Sequence, residues 1–294
     1  MTNPFIALAD LWISRWAEPR AEALAAVAGL APAVVVTGGS RGIGRAIAAR
    51  FAAAGRNVVL VARKADALES AASAIATASG VRVVALALDV TASTTPEQLE
   101  TRLREAGLYA DVLVNNAGLG LSGPFLAQRA DDLETLLAVN VAAATRLMRH
   151  AVAPMAARGR GGILNVASLG GFVPGPHQAA YYASKAFVLS LTEAVAYEMR
   201  GRGVRIAALA PGPVETRFHR AMGADGMLYR YVLPTLAAET VAASAYRHFM
   251  LGRRVIVPGL LPTLAAVALR LLPHGITVPI VGALLSDIFR RNAR

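Results

Sequence analysis

The sequence contains no cysteine. That excludes disulfide bridges, thiolate nucleophiles and cysteine-ligated metal centres. Histidine is sparse, with five in 294 residues, and they are scattered. No H-x-x-x-H pair and no neighbouring carboxylate cluster occurs, so no metal site is expected. Aromatics make up only 6% of the chain, and Lys and Arg never form a long run. The net charge of +11 is therefore not organised as a nucleic-acid-binding motif. Carboxylates are in deficit, 19 against 30 Lys and Arg. Such a balance suits phosphorylated small molecules or an anionic membrane surface. An uninterrupted apolar run of the ~20 residues that a spanning helix needs is also missing. The nearest stretch, Val255 to Leu285, is broken by Pro258, Pro262, Arg270, Pro273, His274 and Pro279. The first residues, MTNPFIALADLWISRWAEPR, lack the basic start and small-residue cleavage site of a signal peptide. These features predict a cytoplasmic protein.

What is present is apolar and regularly spaced. The hydrophobic fraction is 55% and the mean hydropathy +0.47. Short Val/Ala/Leu runs at 33–36, 57–62, 82–88, 111–114, 162–166, 204–209 and 254–257 alternate with helical segments. Among these helices are a long one over 131–157, with Pro154 near its end, and another over 180–200. Strands separated by helices of ten or more residues imply parallel crossovers. Strands without polar alternation imply a sheet covered on both faces. The expected fold is a doubly wound α/β Rossmann sheet of about seven strands in one domain. Residues 1–32 read as a helical extension closed by Pro32. Residues 33–259 read as the catalytic domain, and 260–294 as an apolar helical extension.

The stretch VVVTGGSRGIG, Val34 to Gly44, fits two motifs. Gly38-Gly39-Ser40-Arg41-Gly42 matches the G-x-S-x-G nucleophile elbow of serine hydrolases. Gly38, Gly42 and Gly44 also match a glycine-rich phosphate cradle before a helix N-terminus. Position favours the cradle. A hydrolase elbow follows several core strands, and here only a helical extension precedes the motif. No triad histidine and acid are recognisable downstream.

Further motifs carry a specific resemblance. They are Leu88-Asp89-Val90-Thr91, Asn115-Asn116-Ala117-Gly118, Ser168 thirteen residues before Tyr181, Tyr181-Tyr182-Ala183-Ser184-Lys185, and Pro211-Gly212-Pro213-Val214-Glu215-Thr216. In this order and spacing the chain resembles a short-chain dehydrogenase/reductase over roughly residues 33–259. The resemblance implies a nicotinamide cofactor and a catalytic set of Asn140, Ser168, Tyr181 and Lys185. Tyr181 and Lys185 are four residues apart, so a helix puts them on one face. A nearby ammonium favours the phenolate, so Lys185 is expected to lower the Tyr181 pKa from ~10. Tyr181 then serves as general acid in reduction and general base in oxidation. Ser168 would hold the substrate oxygen. Asn140 would hold a water or backbone group that positions Lys185. Lys185 would also reach the nicotinamide ribose.

The resemblance places the cofactor against Gly38, Ser40, Arg41, Gly42, Ile43, Gly44, Arg63, Asp89, Val90, Asn116, Ala117, Gly118, Tyr181, Lys185, Pro211, Gly212, Val214 and Thr216. The second strand ends Ala62-Arg63-Lys64, where NAD enzymes of this architecture carry an acidic residue. Ala62 in that place, with Arg41 and Arg63 beside it, suits a 2′-phosphate and predicts NADP(H). The reaction implied is reduction of a small apolar carbonyl: a 3-oxoacyl, steroid or lipid-like ketone or aldehyde. A non-catalytic NADP-binding regulator on the same fold is the alternative. Leu119 to Phe125, Leu169 to His177 and Val214 to Leu233 should face the substrate. Phe125, Phe172, Phe218, Met222, Met227, Leu228, Tyr229 and Tyr231 would make the pocket apolar, with the segment after Thr216 as its lid. Two readings of the 260–294 extension stay open. It is a peripheral membrane anchor helped by Arg270, Arg290, Arg291 and Arg294, or it packs over the cleft or against another subunit. The long helices resemble those that pair subunits in the family, so a homo-oligomer is expected.

Overall fold

The apolar runs form seven parallel strands in a computed structural model that describes residues 4–287. They are β1 (Ala31–Thr37), β2 (Asn57–Ala62), β3 (Val83–Ala87), β4 (Leu108–Asn115), β5 (Gly161–Val166), β6 (Val204–Leu209) and β7 (Val255–Ile256), in spatial order β3-β2-β1-β4-β5-β6-β7. Both strand faces are buried, which explains the lack of polar alternation. Along β1, Val34 and Val36 enter one core with Ile47, Phe51, Leu68 and Phe249, while Ala33 and Val35 enter another with Leu103, Leu147 and Met155. Helices α3 (Gly42–Ala52), α4 (Ala65–Ser79) and α11 (Ala238–Met250) supply the first layer; α5 (Thr95–Glu105), α7 (Ala144–Arg158) and α8 (Ala179–Glu198) supply the second. Phe51 and Phe249 meet edge-to-face at 6.3 Å, both almost fully buried. Each such side chain contributes about 1.5–3 kcal/mol through burial alone.

Strand order reverses between β1 and β4, and the carboxyl ends of these two strands form the crevice where this architecture places ligands. Glycine is required in that crevice. A Cβ on Gly44 would lie 2.3 Å from Asn116 Nδ2 and 2.5 Å from the Gly38 carbonyl, so α3 can approach the strands only without a side chain there.

Three expectations are corrected. The helix expected over 131–157 is not one α-helix. It runs as α6 (Ala130–Leu137), a π-helical segment Ala138–Ala143, and α7, which continues through Pro154. Pro32 does not close the N-terminal extension. It lies within β1, opposite Tyr109 of β4, in the first turn of pairing where its missing N–H is tolerated. The N-terminal extension itself forms α1 (Pro4–Ser14) and α2 (Ala21–Ala25). Of the expected face Trp12, Ile13 and Trp16, both tryptophans are largely exposed, with the Arg15 guanidinium stacked on each. Asp10 pairs with Arg205 and so ties α1 to β6.

The C-terminal extension forms α12 (Leu260–Leu271) and α13 (His274–Leu284). Val281 and Leu285 pack into the cluster around Tyr181, and Arg270 pairs with Glu193 of α8 at 2.9 Å. The inner face therefore packs beside Tyr181. The outer face leaves Leu260, Leu261, Leu264 and Leu271 exposed. Arg290, Arg291 and Arg294 lie outside the described residues. Among the described residues no helix is long and apolar enough to cross a membrane.

Gly44→Ala should lower unfolding free energy by roughly 1–3 kcal/mol, the range for overpacking a tight site, as measured by urea denaturation. Gly275→Ala, in open space on α13, should be neutral or slightly stabilising.

Candidate active site

The glycine turn after β1 is held from the β4 end. Thr37 Oγ1 accepts the backbone N–H of Asn116 and of Ala117, each at 3.0 Å. Asn116 Nδ2 donates to the Thr37 carbonyl at 2.9 Å and to the Gly38 carbonyl at 3.2 Å. Gly38 and Gly42 adopt positive φ, 65° and 55°, which glycine takes without penalty. Arg41 precedes α3 with no side-chain cap on the helix. The first N–H groups of α3 thus remain available to an anion. Ser40 and Ile43 are half-buried in the turn, and Gly44 is buried. The loop after β6 closes the other side: Thr216 Cγ2 approaches within 3.3 Å of where a Gly42 Cβ would be. Pro211 accepts from the Leu169 amide at 2.9 Å, Gly212 meets Pro262, and Val214 is buried.

Arg41 and Arg63 are exposed at the mouth of this cradle, and among the described residues neither forms an ion pair. Asp89 Oδ1 accepts from the Thr91 amide at 2.9 Å and its hydroxyl at 2.8 Å. These bonds, with help from the Arg63 charge, hold its carboxyl below the usual range despite some desolvation. One oxygen therefore stabilises its own turn. Val90 sits in the core beside the cradle. A bare helix terminus, Cβ-free turns and unpaired cations fit a phosphorylated dinucleotide. A bound nicotinamide supplies or accepts the hydride.

The residues expected to handle the proton gather around α8. Tyr181 shares a hydrogen bond with Ser168, whose Oγ also accepts the Gly170 amide at 3.1 Å. Lys185 is buried, and its Nζ donates to the Val166 carbonyl at 2.9 Å and lies 5.8 Å from the Tyr181 ring centre. Asn140 is buried on the π-helical segment, where the wider turn places it against Leu119. Its Oδ1 accepts from the Leu119 amide and its Nδ2 donates to the Leu119 carbonyl, both at 2.8 Å. Nδ2 also donates to Ser184 Oγ at 3.0 Å, and Ser184 Oγ donates to the Tyr181 carbonyl at 2.7 Å. Asn140 thus holds a backbone group. Gly118 lies beside both side chains: a Cβ there would sit 3.4 Å from Asn140 Oδ1 and 3.5 Å from Lys185 Nζ, ordinary contact distances.

The electrostatics correct one expectation. Burial pushes the Tyr181 phenol up to about 12, and the Ser168 hydrogen bond only partly offsets it. Burial likewise lowers Lys185 to about 8. The ammonium sits on the Val166 carbonyl, not on the phenol oxygen, so the expected fall in the tyrosine pKa does not occur in this arrangement. A protonated phenol hydrogen-bonded to Ser168 is the form a general acid requires.

The lid expected after Thr216 forms α9 (Phe218–Ala221) and α10 (Tyr229–Val232). Phe218 lies 5.7 Å from the Tyr181 ring, and Met222, Met227 and Tyr229 are buried in the same cluster. Phe125 and Tyr231, expected to line the pocket, instead face solvent at 59% and 60% exposure. Phe125 lies on a short 3-10 helix and Tyr231 on α10, where its hydroxyl donates to the Asp225 carbonyl. His177 is exposed, with φ of 65°, and its carbonyl holds the Gly123 amide.

Several positions escaped the sequence reading. Thr37 was a motif letter without a role; a lone hydroxyl ending an apolar strand was its signal. Asn165 joins Asn115 and Thr192 in a buried network across β4, β5 and α8. His219 Nδ1 lies 2.7 Å from the Tyr229 hydroxyl, which also bonds Gln178. Burial first, then Arg230, pushes His219 down to about 4 and keeps it neutral. Nothing in the local sequence marks this pair.

A dinucleotide cradle beside a Ser–Tyr–Lys proton-transfer set, on a doubly wound sheet, defines a nicotinamide-type oxidoreductase site. The comparisons agree with that class. Residues 32–226 match the short chain dehydrogenase family model, and the chain belongs to that family. It is an oxidoreductase acting on CH–OH groups with NAD(P). A short-chain dehydrogenase from Sphingobium yanoikuyae, solved in complex with NADPH, is 34% identical, with a TM-score of 0.71 over 78% of this chain and 88% of that one. The bulky-bulky ketone specific alcohol dehydrogenase from Comamonas testosteroni is 32% identical, with a TM-score of 0.67 over 79% and 87%. The 3-oxoacyl-(acyl-carrier-protein) reductase of Escherichia coli (strain K12) is 32% identical over 65% of this chain and 77% of its own.

Activity in the reducing direction should fall as pH rises through about 8, because Lys185 loses its charge there, well below the ordinary lysine range. A kcat/KM–pH profile measures this. Lys185→Arg, which cannot deprotonate, should be slower yet flat across the same interval.

Proposed function

We propose that the protein reduces a hydrophobic ketone or aldehyde to its alcohol with NADPH, reversibly, using Asn140, Ser168, Tyr181 and Lys185. The observation that carries this reading is the buried, protonated Tyr181 hydroxyl, bonded to Ser168 and roofed by Phe218, Met222 and Tyr229. A carbonyl oxygen seated between Ser168 and Tyr181 takes a hydrogen bond from one and the proton from the other. Lys185 supplies the positive charge beneath them, and Asn140 fixes the Leu119 backbone next to it. The apolar roof favours substrates with a hydrocarbon body. Relatives that act on 3-oxoacyl groups and on bulky ketones lie within the same chemical range.

NADP(H) is supported by Ala62 at the end of β2 and by the unpaired Arg41 and Arg63. A carboxylate at Ala62 would repel a 2′-phosphate, whereas guanidinium groups attract it. The 34% identical relative binds NADPH. Thermal unfolding followed against each cofactor checks the assignment: NADPH should raise the Tm at concentrations where NADH does not. Equal or stronger stabilisation by NADH would contradict it. NADPH oxidation across a series of apolar ketones and aldehydes then identifies the substrate class.

The reading includes a cytoplasmic homo-oligomer that makes peripheral membrane contact through residues 260–294. The outer faces of α1 and α12 support peripheral association, since Phe5, Trp12, Leu260 and Leu271 are all well exposed. No carboxylate occurs between Glu239 and Asp287. Anionic vesicles of phosphatidylglycerol and phosphatidylcholine should therefore retain the protein at low salt and release part of it at high salt. Full recovery in the supernatant at low salt would remove this element.

A further inference from the structure

Between β6 and α11 the chain makes an excursion that is pinned at its neck. The Glu215 amide donates to the Leu236 carbonyl at 2.9 Å and the Leu236 amide to the Pro213 carbonyl at 3.0 Å, so Val214 and Leu236 pair side by side. The lid helices α9 and α10 lie inside this excursion and have four residues each. Helices that short do not sustain themselves in water, because nucleation costs more than a single turn returns. Other contacts must order them. One side of the lid is tied to its surroundings: Ser122 Oγ donates to the Met222 carbonyl at 2.7 Å, and the Leu228 amide donates to the Ser286 carbonyl at 3.1 Å.

Toward the proton-transfer site the ties are buried side chains. Gln178, 3% exposed, is the residue before α8 and lies three positions ahead of Tyr181; its carbonyl accepts the Tyr182 amide at 3.0 Å. Its Nε2 donates to Met227 Sδ at 2.9 Å, and its side chain also bonds the buried Tyr229 hydroxyl. That hydroxyl lies 2.7 Å from His219 Nδ1, and the imidazole in turn bonds the Val214 backbone at the neck. A neutral imidazole has one N–H and one lone pair. The bond to Val214 favours the protonated ring, so the imidazole donates there. Nδ1 is then the acceptor for the Tyr229 proton. A chain from Gln178 through Tyr229 and His219 to Val214 therefore runs in one direction, from the start of α8 through α10 and α9 to the neck. Beside it, the Phe218 ring lies 6.0 Å from the His219 ring and 5.7 Å from the Tyr181 ring.

We propose that this chain is a latch in which His219 and Tyr229 are positioning residues. They hold the lid against α8, and with it the Phe218 ring over Tyr181, so that an apolar carbonyl substrate is retained. Neither handles the transferred proton; both act through Phe218. The role at the substrate rests on the carbonyl-reductase reading.

Three variants of the full chain test this. Tyr229→Phe removes the hydroxyl and keeps the ring. His219→Leu removes the acceptor, and His219→Asn keeps an acceptor in the place of Nδ1. Amide hydrogen exchange over α9 and α10 should quicken about fivefold in the first two, the scale of one neutral hydrogen bond, with α3 unchanged. KM for 2-octanone should rise by about the same factor while kcat stays within about twofold, as expected for lost binding without a change in the chemical step. His219→Asn should recover most of both effects. Lid exchange at the unsubstituted rate in folded Tyr229→Phe and His219→Leu overturns the proposal. So does exchange that quickens equally in α3, which reports global loosening, or a His219→Asn variant that behaves like His219→Leu. Faster lid exchange with unchanged KM also overturns it, because the chain would then be a structural tie alone. If the unsubstituted protein oxidises no NADPH with apolar ketones, the reductase reading fails; the exchange rates, which need no turnover, still decide whether the chain latches the lid.

Discussion

The contact on which the site depends is the clasp between β1 and β4. Asn116 and Ala117 donate four hydrogen bonds to Thr37 and Gly38 across the point where strand order reverses. Without the clasp the two strand ends would be free to splay, and the crevice they form would lose its shape. The same clasp sets the glycine turn, because Gly38 and Gly44 must be bare for Asn116 to reach over them. It also positions Ala117 and, next along the chain, Gly118, which lies beside Asn140 and Lys185. Cradle and proton-transfer set are thus two ends of one backbone arrangement.

Burial then decides the chemistry. Tyr181 and Lys185 are enclosed by α8, the loop after β5 and the lid helices, and each is pushed toward its neutral form. Desolvation makes the phenol a reluctant acid and the amine a modest cation. Ser168 partly relieves the first, and the Val166 carbonyl holds the second. In the proposed function, the aromatic lid that imposes this burial also favours an apolar substrate. Acid strength and substrate preference therefore share one cause.

Much of this was readable in the sequence. Unbroken Val/Ala/Leu strands at regular intervals announce a doubly covered parallel sheet, and the structure has seven strands in the doubly wound order. Ser168, Tyr181 and Lys185 were readable because their spacing reflects rigid elements: a strand end and one helical face. Features that depend on side-chain placement across long sequence separations were not. The π-helical segment at Asn140 leaves no mark in composition, since Ala and Val suit an α-helix equally well. Phe125 and Tyr231 read as pocket residues because both are aromatics in segments expected to face the substrate, yet each lies on a short helix with its ring exposed. The Lys185 charge was placed on the phenol by proximity in sequence, whereas its nearest acceptor is a carbonyl of β5.

The central claim is that Tyr181 delivers the proton in carbonyl reduction. Single-turnover NADPH oxidation with an apolar ketone, comparing the unsubstituted protein with Tyr181→Phe, tests it directly. Removing a positioned general acid should slow the chemical step by about 10²–10⁴-fold. NADPH binding, followed by its own fluorescence, should persist, because the cradle lies on β1 and α3. NADPH oxidation at the unsubstituted rate in Tyr181→Phe would contradict the account.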